Sequence, residues 1–459
     1  MERPVLPRPN GLMGRLRSLG HQLRRADWAK PFRNVGVLLL GRGTQALFSL
    51  VYVALAARAL GPRDFGILIL IHSLALAVGE IAKFQSWQVV LHYGSEPLLK
   101  GDIGGLRRVL NFSLLLDTIG ATIGLVVIYF GASNATALFD IPPEMQMVTR
   151  LYGISIIFMI FGDTPSGLLR LLGRFDLLSW QNAAMPVVRL IGSIYLYLIH
   201  SDVVGFLILW FAGTVFENLV LFTLGFVEGK RRGIYWRSAE AKSRDRLGGS
   251  LFAPTPGIWR FSIYTSLNGS LQLAQTHLGT LVTGSLLCPV NAGLFRIGSQ
   301  VASVLVKPLR QLFMPAILPE LSHLKAAGDE TARRLMVRRV SHLTGLAALA
   351  LLVLLILIGR PAIAMFAGPD YVDAYGVMVV LAAGGAVAAW AVALEPLLIS
   401  DGHVRFITAV RANATLLYLI ALYWLTRHMG LIGAGVAAVF QTSIISLVFL
   451  LRVSIFKAR

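Results

Sequence analysis

Positively charged side chains recur on one face of the apolar segment 291–318. At about 100° per residue along a helix, Arg296, Lys307 and Arg310 fall within a sector of roughly 120°. Four uncharged polar residues share that sector: Ser299, Gln300, Ser303 and Gln311. Because Arg and Lys bind phosphate oxygens through charge-assisted hydrogen bonds, this stripe predicts a wet, cationic surface suited to an anionic cargo.

Polar faces recur on three further apolar segments. Segments 34–57 and 65–91 carry cations, whereas segment 259–286 carries amides, a chemistry suited to sugar hydroxyls. Ionisable groups in lipid cost at least about 2.5–3.5 kcal/mol each, so they usually face a bundle interior or a watery cavity. If the four faces line one cavity, its cargo-binding residues are Arg42, Gln45, Lys83, Asn268, Gln272, Gln275, Arg296, Lys307 and Arg310.

Acidic residues inside the apolar segments are candidates for coupling transport to protons or sodium. They are Glu80, Asp117, Glu217 and Glu395. A structural interpretation stays open for several charges. Lys83 lies three residues from Glu80 and can pair with it, and Arg189 and Arg411 can pair with Glu217 or Glu395. Asp163 lies near a segment end, from which its side chain is expected to reach toward the membrane surface.

The composition identifies the class of protein that must position these groups. The chain has 459 residues, of which 56% are hydrophobic and only 14% charged, and its mean hydropathy is +0.69. An ordinary soluble domain carries about 25% charged residues. A single cysteine excludes a disulfide scaffold and a cysteine-based metal cluster. The sequence therefore predicts an all-α, polytopic membrane protein.

Hydropathy divides the chain into twelve candidate membrane helices of about 20 residues or more. They are 34–57, 65–91, 109–131, 146–165, 179–199, 204–227, 259–286, 291–318, 340–359, 374–397, 404–426 and 431–451. The predicted organisation is a basic cytoplasmic tail (1–33), a six-helix lobe (34–228), a basic cytoplasmic linker (229–258) and a second six-helix lobe (259–459). A central cavity is expected between the lobes.

Charge predicts the orientation. With the N-terminus inside and the helices alternating, inside segments hold 30 Lys and Arg, and outside loops hold 4. This asymmetry indicates cytoplasmic termini and an even number of helices. The basic stretch 229–246 is better explained as a topology signal facing anionic headgroups than as a nucleic-acid site.

The two halves also resemble each other at a fixed offset of 227 residues. Leu60–Gly66 aligns with Leu287–Gly293, and Phe139 and Pro142 align with Phe366 and Pro369. Both halves begin on the same side, so the repeats are expected to be parallel. Their axis would run along the membrane normal, with a site between the lobes.

Sequence motifs for other chemistries are missing. The chain has no phosphate loop and no paired metal-ligand pattern, so we expect no cofactor and no metal. No loop exceeds roughly 33 residues, which is too short for a tethered catalytic domain. Transport would then need ion coupling, membrane potential or downhill flow of substrate.

Three short motifs resemble one known family. Val53–Gly66 resembles the end of the first helix in bacterial polysaccharide flippases, the Wzx-like branch of the multidrug/oligosaccharidyl-lipid/polysaccharide (MOP) exporter superfamily. Ala292–Ile297 resembles the start of their eighth helix, and Leu168–Phe175 looks like their turn after helix four.

The resemblance implies two six-helix lobes in the bacterial inner membrane. It also implies flipping of an undecaprenyl-pyrophosphate-linked oligosaccharide to the periplasmic leaflet by alternating access. Cavity cations would hold the pyrophosphate, and those that match are Arg42, Lys83, Arg296, Lys307 and Arg310. Polysaccharide polymerases and glycosyltransferases are the expected partners.

Two alternatives remain open at this point. A drug/ion antiporter of the same superfamily would favour an acidic cavity with aromatic contacts to cations, whereas the first helix here carries Arg42 and no carboxylate. A membrane glycan polymerase or ligase, an enzyme, would be expected to carry a large periplasmic loop. The sequence names neither the sugar, the coupling ion nor the oligomeric state, and it does not distinguish capsule, O-antigen and exopolysaccharide.

Overall fold

The computed structural model describes the backbone of residues 29–234 and 255–457. Side chains are described within 48–234 and 255–453, apart from 183, 268, 271–276, 304–316, 318, 319, 322, 326 and 404. The described backbone is helical, with short turns and no strand within these ranges. We call residues 29–234 the N-terminal half and residues 255–457 the C-terminal half.

The N-terminal half begins with one long helix and ends with another. Its helices are α1 (Ala29–Ala82), α2 (Ser86–Leu99), α3 (Ile103–Leu138), α4 (Met145–Gly153), α5 (Ser155–Phe161), α6 (Asp163–Leu171), α7 (Phe175–Leu198) and α8 (Val203–Arg231). The C-terminal half contains α9 (Ile258–Leu286), α10 (Pro289–Ala326), α11 (Glu330–Phe366), a 3-10 turn (Pro369–Tyr371), α12 (Ala374–Trp390), α13 (Leu394–Ser400) and α14 (Val404–Lys457).

Two of these helices contain a sharp break. Helix α1 breaks at Gly61, where φ is +72°, and α14 breaks at Gly430, where φ is +62°. Glycine adopts this region without steric cost, so each break lets two helices follow one another within a short turn. The predicted segments lie largely in helical backbone on either side of such breaks and turns.

The described part of the chain contains seven helical runs long and apolar enough to cross a membrane. Large apolar side chains cover its outer surface, and Phe130 and Leu357 are 70% and 73% exposed. An apolar surface of this kind is stable in contact with lipid tails and unstable in contact with water. The chain is therefore an all-helical, multi-pass membrane protein, as predicted, while the count of twelve crossings in two lobes stays a prediction.

Aspartates define where three of the helices begin. Asp102, Asp202 and Asp329 precede α3, α8 and α11, and each accepts a hydrogen bond from a backbone N–H three residues on, at 2.8, 3.0 and 2.8 Å. Such a cap satisfies one of the donors that a helix N-terminus leaves free.

The main hydrophobic core joins the two halves. It contains Val53, Phe65 and Leu68 of α1 together with Ile297 of α10 and Met378 of α12. Helices α1 and α10 thus pack along each other at the centre of the molecule. Any polar side chain that these two helices direct inward must meet the opposite half.

The two repeated turns lie against each other. Gly66 packs directly on the backbone of Pro289, and a side chain on Gly293 would meet Phe65 and the carbonyl of Pro62 at 3.2 Å. The stretches Leu60–Gly66 and Leu287–Gly293, which align in sequence, are therefore neighbours in space. We call this part of the bundle the Gly61 end.

Polar contacts hold the halves together at the Gly61 end. Arg58 Nε donates to the carbonyl of Phe366 at 3.0 Å, and the same guanidinium contacts the carbonyl of Met365. Tyr371, which is 1% exposed, donates its hydroxyl to the carbonyl of Ala57 at 2.9 Å. The halves are thus closed against each other at this end.

A methyl group at Gly66 tests this closure. Gly66→Ala would overlap the Pro289 carbonyl and disfavour the closed Gly61 end by about 1–3 kcal/mol, as overpacking usually does. We expect Cys288, the adjacent and only cysteine, to react faster with a membrane-impermeant maleimide in the purified variant.

The matched control is Gly131→Ala, because a methyl group there meets nothing within 4 Å. Its Cys288 labelling rate should equal that of the unsubstituted protein. Equal rates in all three proteins would contradict tight packing of the two turns.

Candidate functional site

Side chains from both halves meet at one polar site in the core. We call it the central site and define it by what its members share, a position around the His72 ring. They are His72 with its contacts Tyr152 and Trp210, Tyr52 against Trp210, and the arginines Arg189 and Arg296 of helices packed on α1. Five come from the N-terminal half, and Arg296 comes from α10 of the C-terminal half.

Aromatic rings form one wall of the central site. His72 Nδ1 lies 2.7 Å from the Tyr152 hydroxyl, and its ring packs edge-on against Trp210 with centroids 4.7 Å apart. Tyr52 contacts Trp210 in the same manner at 5.9 Å. Tyr and Trp combine an apolar body with a polar tip, and here Tyr52, Tyr152 and Trp210 are buried, at 8%, 4% and 2% exposed.

Arg189 of α7 supplies the first cation. Its Nη2 donates to Thr214 at 3.2 Å and lies 3.7 Å from Glu217. Glu217 is held in turn by Gln181 at 3.1 Å. The predicted pair of Arg189 and Glu217 is thus confirmed, although its separation is long for an ion pair.

Arg296 of α10 supplies the second cation, from the other half of the chain. Its helix packs along α1 from the Gly66–Pro289 contact, and Arg296 and His72 lie seven and six residues beyond that contact. Nε of Arg189 and Nε of Arg296 are both buried and have no hydrogen-bond partner among the described atoms. A buried donor without an acceptor costs about 1–3 kcal/mol, and more when charged, so this pair of donors favours an anion.

The site lies well inside the membrane-spanning part of the bundle. Arg296 is seven residues into α10, and His72 is eleven residues beyond Gly61. At 1.5 Å per residue these positions are roughly 10–17 Å from the Gly61 end, close to the middle of a hydrocarbon core about 30 Å thick.

The polar faces predicted on α1 and α10 also meet beside the central site. Gln300 Nε2 donates to the Ser49 hydroxyl at 3.4 Å. Ser299 and Ser303 bond instead to carbonyls of their own helix. The prediction that these two faces line a shared interior is supported at Ser49, Tyr52, Arg296 and Gln300.

A second polar group lies deeper in the N-terminal half. We call it the acid–lysine cluster, and its members are Glu80, Lys83, Asp117 and Asp163. Lys83 Nζ lies 2.8 Å from Asp163 Oδ1 and 3.9 Å from Glu80 Oε1. The predicted Glu80–Lys83 contact therefore exists, but Asp163 is the closer partner.

Asp117 forms the other side of the cluster and is fully buried. Its two carboxyl oxygens accept from Ser86 Oγ at 2.6 Å and from Thr164 Oγ1 at 2.5 Å. The cluster thus combines three carboxyl groups with one lysine. Three ionised carboxylates would leave an uncompensated buried charge, which a proton or another cation must balance.

Breaks in the helices create the space for this cluster. Residues 83–85 separate α1 from α2, and Gln85 has a left-handed backbone with φ of +53°. The freed carbonyl of Lys83 accepts from Ser266 Oγ of the C-terminal half at 3.0 Å. A one-residue interruption at Gly162 places Asp163 at the start of α6. Irregular backbone at membrane depth is tolerated where it is buried in protein or lines a cavity.

Asp163 corrects one prediction. The sequence suggested that its side chain reaches toward the membrane surface, but the residue is only 7% exposed and bound to Lys83. Its Oδ2 is buried without a partner among the described side chains. The physical reason is that Lys83, also far from bulk water, offers a stronger interaction than the distant interface does.

Glu395 lies apart from both groups. Its Oε1 is 2.6 Å from Arg411 Nη2 within the C-terminal half, which confirms the predicted pairing. Of the four acids proposed for coupling, the structure therefore brings Glu80 and Asp117 together, whereas Glu217 and Glu395 each contact an arginine.

Most of the predicted cargo-binding side chains lie outside the described part of the chain. They are Arg42, Gln45, Asn268, Gln272, Gln275, Lys307 and Arg310. Lys83 and Arg296 are described, and they belong to different groups, Lys83 to the acid–lysine cluster and Arg296 to the central site. Of these nine residues, only Arg296 has a described place in the central site.

Five of the six central-site residues were not assigned to cargo by sequence analysis: Tyr52, His72, Tyr152, Arg189 and Trp210. Arg189 was interpreted only as a partner of an acid. One signal was available in its segment, because Ser179, Asn182 and Ser193 lie within about 80° of Arg189 on one helix face.

The comparison with known proteins agrees with this architecture. The chain matches the family described as polysaccharide biosynthesis protein over residues 112–376. It is 26% identical to the inner membrane protein YghQ of Escherichia coli (strain K12) over 348 residues, which are 75% of this chain and 94% of YghQ.

Two solved structures share the fold. An inward-facing multidrug resistance transporter of the MATE family, from the MOP superfamily, superposes with a TM-score of 0.70 at 14% identity, covering 90% of this chain and 96% of that one. The lipid II flippase MurJ in an inward closed conformation superposes with a TM-score of 0.65 at 15% identity, covering 91% and 87%. The family match confirms the resemblance noted in the sequence at the level of the polysaccharide biosynthesis protein family, and the two structures show a shared fold.

Removal of one charge should reveal how the acid–lysine cluster is balanced. Asp163→Asn takes the closest carboxylate from Lys83 and leaves it Glu80 at 3.9 Å, so the cost should lie below the value of about 3–5 kcal/mol for a buried charge left with no partner. We expect a clear fall in the thermal unfolding midpoint in detergent. Asp163→Asn combined with Lys83→Met should recover part of that loss.

The control is Glu96→Gln, which breaks the exposed Glu96–Lys100 pair and should leave the midpoint unchanged. If Asp163→Asn were as harmless as the control, Lys83 would not depend on Asp163.

Proposed function

The chain belongs to the polysaccharide biosynthesis protein family, and from that premise we propose that it flips a lipid-linked oligosaccharide across the membrane. The cargo class is an oligosaccharide joined to undecaprenyl through a pyrophosphate. The chain is a transporter of the MOP fold, and translocation moves the polar head between leaflets without making or breaking a covalent bond.

One observation carries this proposal: Arg189 and Arg296 come from opposite halves, and each has a buried Nε–H without a partner among the described atoms. A pyrophosphate offers several anionic oxygens to such donors, and guanidinium groups bind them in planar, paired geometry. The rings of Tyr52, Trp210 and Tyr152 beside them supply a surface on which sugar rings can pack.

The proposed cycle is alternating access around the central site. In the structure the halves are joined at the Gly61 end. The sugar–pyrophosphate head would enter from the opposite, cytoplasmic end, while its polyprenyl tail stays in lipid. Lys307 and Arg310 would contact the cargo in this state, because a ligand shifts a conformational equilibrium only by binding one state better.

Coupling to protons is assigned to the acid–lysine cluster. Glu80 and Asp163 both lie within 4 Å of Lys83, so protonation of one acid favours the other as its partner. Asp117 lies beside them and is held by Ser86 and Thr164. Lys83 was predicted to bind cargo, and a cargo phosphate would have to displace Asp163 to reach it. Proton binding and cargo binding can therefore be linked through the same ammonium group.

The proposed location is the bacterial inner membrane with both termini in the cytoplasm. The charge asymmetry of the loops supports the orientation, and the name of YghQ supports the membrane. Polysaccharide polymerases and glycosyltransferases that use the same lipid-linked units are the proposed partners.

An antiporter of cationic drugs is the competing function on this fold. The central site argues against it, because two buried guanidinium groups repel a cation. We therefore propose an anionic cargo and not a cationic drug.

Removing the central cations should abolish flipping. For Arg189→Gln with Arg296→Gln, complementation of a flippase-deficient strain should fail, with unflipped lipid-linked units accumulating. Each lost charged hydrogen bond is worth about 1.5–3 kcal/mol, or roughly tenfold or more in affinity. Lys307→Ala with Arg310→Ala should likewise abolish flipping while leaving folded protein in the membrane.

The control is Glu96→Gln with Lys100→Gln, which removes an exposed pair that does not belong to the central site. This variant should complement. Full activity of the Arg189/Arg296 variant at normal membrane abundance would overturn the assignment of the site.

Neutral substitutions in the acid–lysine cluster should remove the response to a proton gradient. In proteoliposomes we expect an imposed pH gradient to change the flipping rate of the unsubstituted protein. Asp117→Asn and Glu80→Gln should flip at a rate that no longer depends on the gradient, because each removes a group that exchanges a proton. A gradient response equal to that of the unsubstituted protein in both variants would exclude the cluster as the coupling site.

A further inference from the structure

The C-terminal half contains a groove that takes no part in the proposed transport path. It lies between α11, the junction of α12 and α13, and the last part of α14, and its volume is about 1040 Å³. Its wall is mainly apolar and includes Leu335, Trp390, Leu447 and Leu450, which are 41–55% exposed. Exposed apolar side chains of this kind are stabilised by contact with hydrocarbon such as lipid acyl chains.

The rim of the groove is basic. Arg334 and Arg338 are four residues apart on α11, so they lie one above the other on one helix face. Both are exposed, and neither has an acidic partner among the residues that the structure describes. The third rim arginine, Arg333, is different, because Asp401 at 3.0 Å and Glu330 at 3.1 Å hold it in place.

The dimensions of the groove match one leaflet. On α14 the wall runs from Ser443 to Val453, ten residues that rise about 15 Å. Half of a hydrocarbon core about 30 Å thick is also about 15 Å. Helix α11 begins at the end of α10 that is remote from the Gly61 end, so the arginines lie near the membrane surface and the apolar wall points toward the membrane interior.

We propose that this groove binds one anionic phospholipid of the cytoplasmic leaflet. Arg334 and Arg338 hold its phosphate and headgroup, and an acyl chain lies along Trp390, Leu447 and Leu450. Basic pockets between membrane helices on the cytoplasmic side recognise anionic headgroups in this way. The undecaprenyl tail of a cargo is much longer than one leaflet is deep, so the short groove favours a resident phospholipid.

Lipid retention tests the proposal without reference to transport. The full-length protein would be equilibrated in mixed micelles holding equal amounts of phosphatidylglycerol and phosphatidylcholine, and the lipids that stay bound would be counted by native mass spectrometry. We expect one phosphatidylglycerol retained per protein. For Arg334→Gln with Arg338→Gln, retention should fall roughly tenfold or more, since each cation near the surface contributes about 1 kcal/mol.

The matched control is Arg339→Gln with Arg405→Gln, which removes the same charge from exposed residues that do not line the groove. It should retain phosphatidylglycerol normally. Ser446→Phe adds a ring to the groove wall without changing the charge and should also reduce retention.

Three results would overturn the proposal. The first is an equal loss of phosphatidylglycerol retention in the Arg334/Arg338 variant and in the Arg339/Arg405 control. The second is retention of phosphatidylcholine as strong as that of phosphatidylglycerol. The third is displacement of bound phosphatidylglycerol by an equal amount of undecaprenyl phosphate. The last result would assign the groove to the cargo lipid instead.

Discussion

A guanidinium group inside a bilayer has lost its water and must find anionic or polar oxygens. In this protein two such groups, Arg189 and Arg296, come from opposite halves of the chain, and the Nε of each is buried without an acceptor among the described atoms. Glu217 lies 3.7 Å from Arg189, which is long for an ion pair. In the proposed function these two cations favour an anionic cargo, and their location on separate halves makes that preference depend on how the halves are arranged.

The remaining architecture is arranged around these two cations. The two sequence-related turns pack at the Gly61 end with no room for a side chain on Gly66, so closure there is a matter of close backbone contact. Deeper in the N-terminal half, the break between α1 and α2 holds a lysine that three acids surround. Ser266 reaches the same break from α9, so the acid–lysine cluster is physically joined to the opposite half. A change of protonation in the cluster can therefore bias the contact between the halves.

The sequence predicted the class of fold well and the site in part. The apolar segments of membrane length were sufficient to predict an all-helical membrane fold, because lipid forces the backbone into helices. The repeat at 227 residues marked the two turns that occupy equivalent positions in the halves. Helical periodicity places Arg296 and Gln300 on one face of their segment, and Gln300 contacts Ser49 of α1. Arg189 was predicted only to pair with an acid, and the position of Asp163 near a segment end hid its burial. In both cases the deciding contact is made with a different helix, which periodicity within one segment does not report.

The central claim is that the pyrophosphate of the cargo lies between Arg189 and Arg296. The most direct measurement is a cryo-electron microscopy structure of the full-length protein with a bound undecaprenyl-pyrophosphate oligosaccharide. The account predicts density for the two phosphates within hydrogen-bond distance of both guanidinium groups, with the first sugar against Tyr52 and Trp210. Phosphate density elsewhere in the bundle, with Arg189 and Arg296 free of cargo, would contradict it.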